Sequence, residues 1–299
     1  MSFREGSAVL AVDLPPFELE GPADAPVIVA LGGISSSHHV RASEIDPSQG
    51  WWETATGQGC PLPRSGFRVL GMGFVDAGAR EDGRPDGIVA THDQADALAA
   101  VLDVRGISRV HAVIGASYGG MVALAFAERY PERLERLVVI GAAHRTHAMT
   151  MGIKALQRRI IELGLETGRE RDGVILARAL AMTTFRSAKE FDKRFTRSQS
   201  VEAYLLYHGQ TFAKRFTPAR FLALSLSGCL HRVDPAKITT PTTLVAAEGD
   251  TNVPREVVEE LARGVAGPCR IADLPSENGH DAFLTEPETL GRILREALS

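Results

Sequence analysis

Residues 115–120 read GASYGG, with the apolar run VHAVI immediately before them and MVALAFAERYPERL immediately after. The first run has the pattern of a buried strand, and the second predicts a helix that ends near Tyr130, because Pro131 discourages its continuation. A G-x-S-x-G motif between a strand and a helix is typical of a nucleophile elbow, where small neighbours let the two elements approach closely. The motif therefore predicts that Ser117 is a nucleophile; the alternative is an ordinary glycine-rich turn.

Other apolar runs repeat this pattern along the chain and alternate with helical segments. Runs rich in Val, Ile and Leu predict strands within residues 25–33, 67–73, 109–115, 136–143 and 242–250, with a shorter candidate at 269–274. They are continuously apolar, as parallel strands covered on both faces are. Thr91 and Gln94 predict a capping box at the start of one intervening helix. The order of elements predicts an α/β fold with a mostly parallel, doubly wound sheet.

The alternation stops between residues 145 and 234, where the sequence is helical in pattern and has no convincing strand. Helices inserted into an α/β sheet are best placed as a cap over the carboxyl edge of the strands, where ligands of such sheets bind. We therefore predict a core formed by residues 1–144 and 235–299 and a helical cap, or lid, formed by residues 145–234.

Composition excludes several classes of function. The 299 residues are 44% hydrophobic and 23% charged with a net charge of -4, so the chain lacks the basic footprint of a nucleic-acid-binding protein. No apolar run approaches the roughly 20 residues that cross a membrane, and no secretory signal is evident, so we expect a cytoplasmic protein without membrane association. Three scattered cysteines predict neither a disulfide framework nor a metal site.

A nucleophilic serine needs a base, and in this arrangement the expected chain order is serine, acid, histidine. His280 lies in a late polar loop, after a strand candidate and before the final helix. Asp250 ends a predicted strand, from which a carboxylate can orient the imidazole. Glu248 is the second candidate for the acid, whereas Asp281, adjacent to the histidine, should point away from its ring. We predict the triad Ser117, Asp250 and His280.

The transition state of acyl transfer also needs backbone N–H donors for the developing oxyanion. One donor is expected from Tyr118, the residue after the nucleophile, and the other from the loop that follows an early strand. That loop reads LGGISSSHH, so Gly32 or Gly33 is the candidate for the second donor.

Several of these segments resemble the homoserine O-acyltransferases of the MetX type, a branch of the α/β-hydrolase fold. The matching text lies in residues 50–71 (GWWETATGQGCPLPRSGFRVLG), 115–131 (GASYGGMVALAFAERYP), 175–187 (ILARALAMTTFRS), 201–225 (VEAYLLYHGQTFAKRFTPARFLALS) and 279–284 (GHDAFL). The cap segments are the specific part, since the serine motif alone would fit any esterase.

The resemblance implies acyl transfer from a CoA thioester to the hydroxyl of L-homoserine in methionine biosynthesis, through an acyl-Ser117 intermediate, with no bound cofactor. Asp281 matches the family position that binds the substrate ammonium, and Arg197 and Tyr204 match cap positions that hold its carboxylate. Helical caps of this family pair with a second subunit, so a homodimer is expected.

Three alternatives stay open at this point. The donor is succinyl-CoA or acetyl-CoA; His144 and Arg145, near the expected cap entrance, favour succinyl because they could meet its free carboxylate. The acceptor is L-homoserine or another hydroxyl such as that of L-serine. An esterase that transfers the acyl group to water would use the same triad.

Overall fold

We describe a computed structural model of the chain, covering residues 14–44, 46–56 and 66–299. A seven-stranded sheet with the order β1-β3-β2-β4-β5-β6-β7 forms its centre. The strands are β1 (Phe17–Glu20), β2 (Val27–Leu31), β3 (Arg68–Met72), β4 (Val110–Ala116), β5 (Leu134–Ile140), β6 (Thr242–Ala247) and β7 (Cys269–Leu274). All neighbouring strands pair in parallel except β1 and β3, which are antiparallel.

The predicted strands and the fold class are confirmed. Successive residues of the central strand β4 serve different cores: Val113 belongs to the apolar cluster on one face of the sheet, while Ala112 and Ile114 belong to the cluster on the other. Side chains of a strand alternate between its faces, so a strand buried on both faces must be apolar at every position. This is why the continuous apolar runs predicted a covered parallel sheet.

The edge strand β1 was not predicted. Its four residues, FELE, alternate apolar and acidic side chains, and all four are only partly buried. An edge strand has one free side and tolerates charge, which also discourages pairing with other chains. The short strand therefore lacks the continuous apolar pattern that identified the others.

Helices cover both faces of the sheet and extend beyond its carboxyl edge. They are α1 (Glu53–Thr56), α2 (Thr91–Val104), α3 (Tyr118–Arg129), α4 (Ala148–Glu166), α5 (Glu170–Phe185), α6 (Ala188–Arg194), α7 (Ser198–Phe212), α8 (Pro218–Leu230), α9 (Arg255–Gly264), α10 (Ala282–Thr285) and α11 (Pro287–Leu298). Helices α4 to α8 follow one another between β5 and β6, in the segment predicted to be the cap; α4 packs on α5, and α5 packs on α7. No helix among the described residues is long and apolar enough to cross a membrane.

The predicted capping box at the start of α2 is wrong. The helix begins at Thr91, and the carboxylate of Asp93 accepts a hydrogen bond from the backbone N–H of Ala90 at 2.6 Å. The Thr91 hydroxyl instead contacts Nδ1 of buried His231 at 2.8 Å, and the Gln94 amide bonds the backbone of the loop after β3. Thr91 and Gln94 therefore bond residues distant in the sequence, and not the backbone at the start of α2.

Candidate active site

Ser117 lies in the turn between β4 and α3 with φ 54° and ψ -119°, and it is the one non-glycine residue of the described chain with positive φ. Its backbone N–H donates to the carbonyl of Ile140 on the neighbouring strand at 2.8 Å. A backbone strain of about 1–3 kcal/mol persists only where the surroundings impose it. The turn therefore lifts the serine side chain out of the strand, as the elbow motif predicted.

The glycines around Ser117 are required by close packing of the backbone. A Cβ built on Gly115 would lie 2.2 Å from the carbonyl oxygen of Gly119, and one built on Gly119 would lie 2.4 Å from the carbonyl oxygen of Leu31. Distances below about 3 Å mean that no side chain fits at either position without moving main chain. The strand and the helix can meet at the elbow only because both residues lack a side chain.

Three side chains from distant parts of the chain form a hydrogen-bonded relay. His280, in a short 3-10 turn after β7, places Nε2 2.8 Å from the Oγ of Ser117 and Nδ1 2.7 Å from the Oδ2 of Asp250. Asp250, in the loop after β6, and His280 are 7% and 6% exposed. The structure thus brings together the three residues that the sequence selected.

The Asp250 carboxylate is itself held in place. Its Oδ1 accepts hydrogen bonds from the backbone N–H groups of Asn252 at 2.9 Å and Val253 at 3.0 Å, which leaves Oδ2 for the imidazole. Glu248, the other candidate for the acid, is exposed. The geometry therefore favours Asp250 as the partner of the histidine.

The pKa of His280 lies above the ordinary value for histidine. Burial lowers the pKa, but the charge of Asp250 and the hydrogen bond to it outweigh burial, with a smaller contribution from Asp281. The Asp250 carboxylate therefore stabilises the imidazolium that forms when the ring accepts a proton from Ser117.

Backbone groups beside Ser117 supply candidates for an oxyanion hole. The N–H of Tyr118 is the first of helix α3, so it has no acceptor within the helix. A Cβ built on Gly33 would lie 3.9 Å from the Cβ of Ser117, so this glycine borders the nucleophile. Gly32 has a different contact: its carbonyl accepts a hydrogen bond from the N–H of Gly119 at 2.9 Å.

Two cavities meet at Ser117. We call them the Tyr118 cavity and the Asp281 cavity; Ser117, His280 and Arg178 line both. The side chains particular to the Tyr118 cavity include Met121, Lys154, Gln157 and Ser225, from α3, α4 and α8. Those particular to the Asp281 cavity include Arg186, His208 and Arg215, with Gly33 at its edge. The nucleophile therefore faces two differently lined spaces.

The Asp281 cavity holds both a carboxylate and guanidinium groups. The Oδ2 of Asp281 lies 3.0 Å from the Nε of Arg186, and Arg178 lies against the rings of Phe185 and Phe212 at 5.0 and 4.8 Å. Burial raises the pKa of Asp281 despite the nearby Arg186, and it lowers the pKa of Arg178 to about 10. Arg178 therefore keeps its charge near neutral pH, and within the described chain its buried Nε has no hydrogen-bond partner.

The structure brings Asp281 to this site but not the two predicted carboxylate-binding residues of the cap. Arg197 is exposed just before α7, and Tyr204 packs against the rings of Phe195 and His208. Neither residue lines the cavities at Ser117. Arg178, which sequence reasoning missed, lines both cavities, and its signal was an arginine among the apolar residues of ILARALAM.

His144 and Arg145 do not support the sequence-based preference for a succinyl donor. His144 Nε2 lies 3.2 Å from Glu260, and Arg145 forms an ion pair with the same carboxylate. Burial lowers the pKa of His144. Both side chains therefore pair with the carboxylate of Glu260, and not with a carboxylate of the acyl donor. Within the described chain, no cluster of three or more His, Cys, Asp or Glu side chains is placed to hold a metal ion.

Comparison with known proteins identifies the family to which this chain is similar. A family model described as alpha/beta hydrolase fold matches residues 26–287. The homoserine O-succinyltransferase of Xanthomonas campestris pv. campestris is 40% identical over 291 residues, covering 94% of this chain and 78% of the relative. The L-serine/homoserine O-acetyltransferase of Streptomyces lavendulae is 30% identical over 352 residues, covering 97% of this chain and 92% of the relative.

A solved structure shares the architecture at lower sequence identity. The homoserine O-acetyltransferase from Bacillus anthracis superposes with a TM-score of 0.84 at 16% identity, covering 95% of this chain and 91% of the other. At this identity the likeness supports the fold, while the sequence relatives carry the assignment. The chain therefore belongs to the homoserine O-acyltransferase family of MetX type, within the α/β-hydrolase superfamily.

Proposed function

We propose that this protein transfers a succinyl group from succinyl-CoA to the hydroxyl of L-homoserine through an acyl-Ser117 intermediate. One observation carries the choice of a transferase over a hydrolase. The relay from Asp250 through His280 to Ser117 opens onto a cavity that holds both the Asp281 carboxylate and Arg178, whose Nε has no hydrogen-bond partner among the described residues, and this pair of charges suits a zwitterionic acceptor better than water. The name of the succinyltransferase relative supports the donor.

In the first half-reaction, Ser117 Oγ attacks the carbonyl carbon of the thioester while His280 Nε2 takes its proton. The charge that develops on the carbonyl oxygen is stabilised by the backbone N–H groups of Tyr118 and Gly33. The C–S bond then breaks, and His280 returns the proton to the sulfur, which releases CoA thiol. Asp250 keeps Nδ1 protonated, so Nε2 is free to act as the base.

The second half-reaction repeats these steps with a new nucleophile. The homoserine hydroxyl attacks the acyl carbon, His280 takes its proton, and the ester bond to Ser117 breaks. His280 then protonates Ser117 Oγ, which restores the free enzyme. Because the serine is used twice, the kinetics should be ping-pong.

The residues of the Asp281 cavity suit the two charged ends of the acceptor. A guanidinium pairs with a carboxylate through two parallel hydrogen bonds, and a carboxylate accepts from an ammonium. We assign the substrate carboxylate to Arg178, which lines the same cavity as Ser117 and whose Nε has no hydrogen-bond partner in the described part of the chain. We assign the substrate ammonium to Asp281, which is half-buried at the same site.

The test measures thiol release and acylated product with succinyl-CoA or acetyl-CoA and with L-homoserine or L-serine. We expect O-succinylhomoserine from the wild type and none from Ser117→Ala, which lacks the nucleophile. Thiol release at the same rate with and without an amino acid would contradict the proposal and indicate a hydrolase. A higher kcat/KM with L-serine than with L-homoserine would show that L-serine is the acceptor.

Removing the carboxylate of Asp281 should affect the two half-reactions differently. In Asp281→Asn the ammonium loses a charged partner worth about 1.5–3 kcal/mol, so kcat/KM for L-homoserine should fall by roughly 10- to 100-fold. The rapid release of CoA thiol on acylation should change by less than about threefold, because the acyl donor does not use this carboxylate.

Both half-reactions are followed by stopped flow at a pH where acylation no longer depends on pH. Asp24→Asn is the matched control, since Asp24 is exposed and far along the chain from the site. Equal losses in acylation and in transfer would remove Asp281 from acceptor binding.

We also propose that the protein is a homodimer that pairs through its cap. One face of α4 exposes Met149 at 66%, Leu156 at 62% and Leu163 at 46%, which is unusual for apolar side chains on a surface helix. Spacings of seven residues keep these side chains on one side of the helix. Sedimentation of a monomer alone at micromolar concentration would contradict this assignment.

A further inference from the structure

Lys154 lines the Tyr118 cavity, and no carboxylate of the described residues pairs with it. Lys154 is half-buried on α4, on the same side of this amphipathic helix as the buried residues Thr150, Gln157 and Ile161. Lysine is almost never buried without a partner, because its ammonium loses hydration. Yet no carboxylate lies within ion-pair distance of Lys154 in the described chain, and none contributes to its pKa, which burial lowers.

The Lys154 ammonium lies close to the residue that follows the nucleophile. A Cβ built on Gly228 of α8 would lie 3.9 Å from Lys154 Nζ and 3.8 Å from the ring of Tyr118, the residue after Ser117. The missing side chain at Gly228 therefore leaves open the space between the ring and the ammonium. Lys154 and Ser117 line the same cavity.

The surroundings of Lys154 favour an anion. Arg158, one turn along α4, adds a second positive charge that acts on Lys154. Among the described residues its guanidinium bonds neutral groups: the Ser225 hydroxyl and the Cys229 sulfur, both at 3.2 Å, and the Ser225 carbonyl at 3.5 Å. Gln157, 5% exposed, lines the cavity next to them and carries an amide that can donate. Among the described residues neither cation has a carboxylate partner, so Lys154, which lines the cavity, is available to pair with a negatively charged group.

We infer that Lys154 binds the free carboxylate of the succinyl group and so selects succinyl-CoA over uncharged acyl donors. This inference rests on the proposed function, since it concerns the acyl group carried by Ser117. An extended succinyl group places its carboxylate carbon three C–C bonds, about 4 Å, beyond the carbonyl carbon, so it extends away from the serine into the cavity. An acetyl group ends before this region and gains nothing from the ammonium.

The test compares succinyl-CoA with butyryl-CoA and acetyl-CoA, which share the CoA portion and lack the carboxylate. In Lys154→Met, a side chain of similar length without charge, kcat/KM for succinyl-CoA should fall about 10- to 100-fold, because a charged hydrogen bond is lost. The value for butyryl-CoA, which matches succinyl-CoA in chain length, should stay within about threefold of wild type or rise. Lys154→Arg should retain most of the preference for succinyl-CoA.

Controls separate this inference from the proposed function. Lys237→Met changes an exposed lysine outside both cavities and should leave all donors unaffected. Thermal unfolding of each variant checks the fold. Equal losses with all three donors in Lys154→Met would overturn the inference and assign the ammonium to the CoA portion, while transfer to homoserine by the wild type would still support the proposed function. A wild type that transfers no acyl group to any acceptor would overturn both.

Discussion

Replacing Asp250 with Asn is expected to lower kcat about 10⁴-fold while leaving the protein folded. The asparagine keeps an oxygen for the N–H groups of Asn252 and Val253, so the loop after β6 should hold its shape. Its amide nitrogen would face Nδ1 of His280 and force the tautomer in which Nε2 carries the proton. That ring can no longer accept the proton of Ser117.

The same variant should shift the pH dependence of acylation. His280 must be neutral to act as a base, so the rate in the wild type should rise with pH through a pKa above the ordinary value for histidine of about 6.5. Without the charge of Asp250, burial dominates and lowers the pKa of His280. The acidic limb of the profile should therefore move to lower pH in Asp250→Asn.

Stopped-flow acylation across pH measures both effects. Glu248→Gln serves as the matched control, since it alters the exposed second candidate for the acid. A large loss of activity in Glu248→Gln with little effect in Asp250→Asn would reverse the assignment of the acid.

Adding one methyl group at Gly119 is expected to disrupt both the fold and the activity. The new Cβ would lie 2.4 Å from the carbonyl oxygen of Leu31 and 2.5 Å from that of Gly32, and neither is a side chain that can rotate away. Overpacking of this kind costs about 3 kcal/mol of unfolding free energy. Because the shift would separate the elbow from the loop that carries Gly33, we also expect kcat to fall at least about 100-fold through the loss of an oxyanion donor.

Gly152→Ala is the control for this substitution. Gly152 lies within α4, where a Cβ would meet no atom within 4 Å, so alanine should raise the free energy of unfolding by about 0.5–1 kcal/mol. Urea unfolding of both variants, with kcat measured alongside, checks the pair. If the urea midpoint of Gly119→Ala equals that of the wild type, the close approach of helix and strand does not require glycine at this position.

The elbow and its partners were predictable because their signals are local or depend on chain order. GASYGG contains the serine and the small residues that its turn requires. Strand β4, which leads into it, is apolar at every fully buried position. Asp250 and His280 each follow a strand, and parallel strands present their carboxyl ends at one edge of the sheet. Their order along the chain was then enough to select them from several acids and histidines.

The lining of the cavities was not predictable in the same way. Arg197 and Arg178 both lie in the segment between β5 and β6, and resemblance selected the first, while the structure places the second beside Ser117. Each residue turns a helix by about 100°, so an error of one or two positions moves a side chain to another face. The packing of α5 against α4 and α7 decides which side of α5 lies next to Ser117.

The sequence by itself thus determined strands β2 to β7, the serine of the elbow and the chain order of its relay, because strand pattern, turn chemistry and chain order are properties of short segments. Only the tertiary structure decided which charges surround the serine. Lys154 and Arg178 belong to different helices, and whether either faces Ser117 is set by helix rotation and crossing, which arise from packing between segments far apart in the chain. The elbow positions the candidate nucleophile, and the helices above it carry the charges on which the proposed acyl group and acceptor depend.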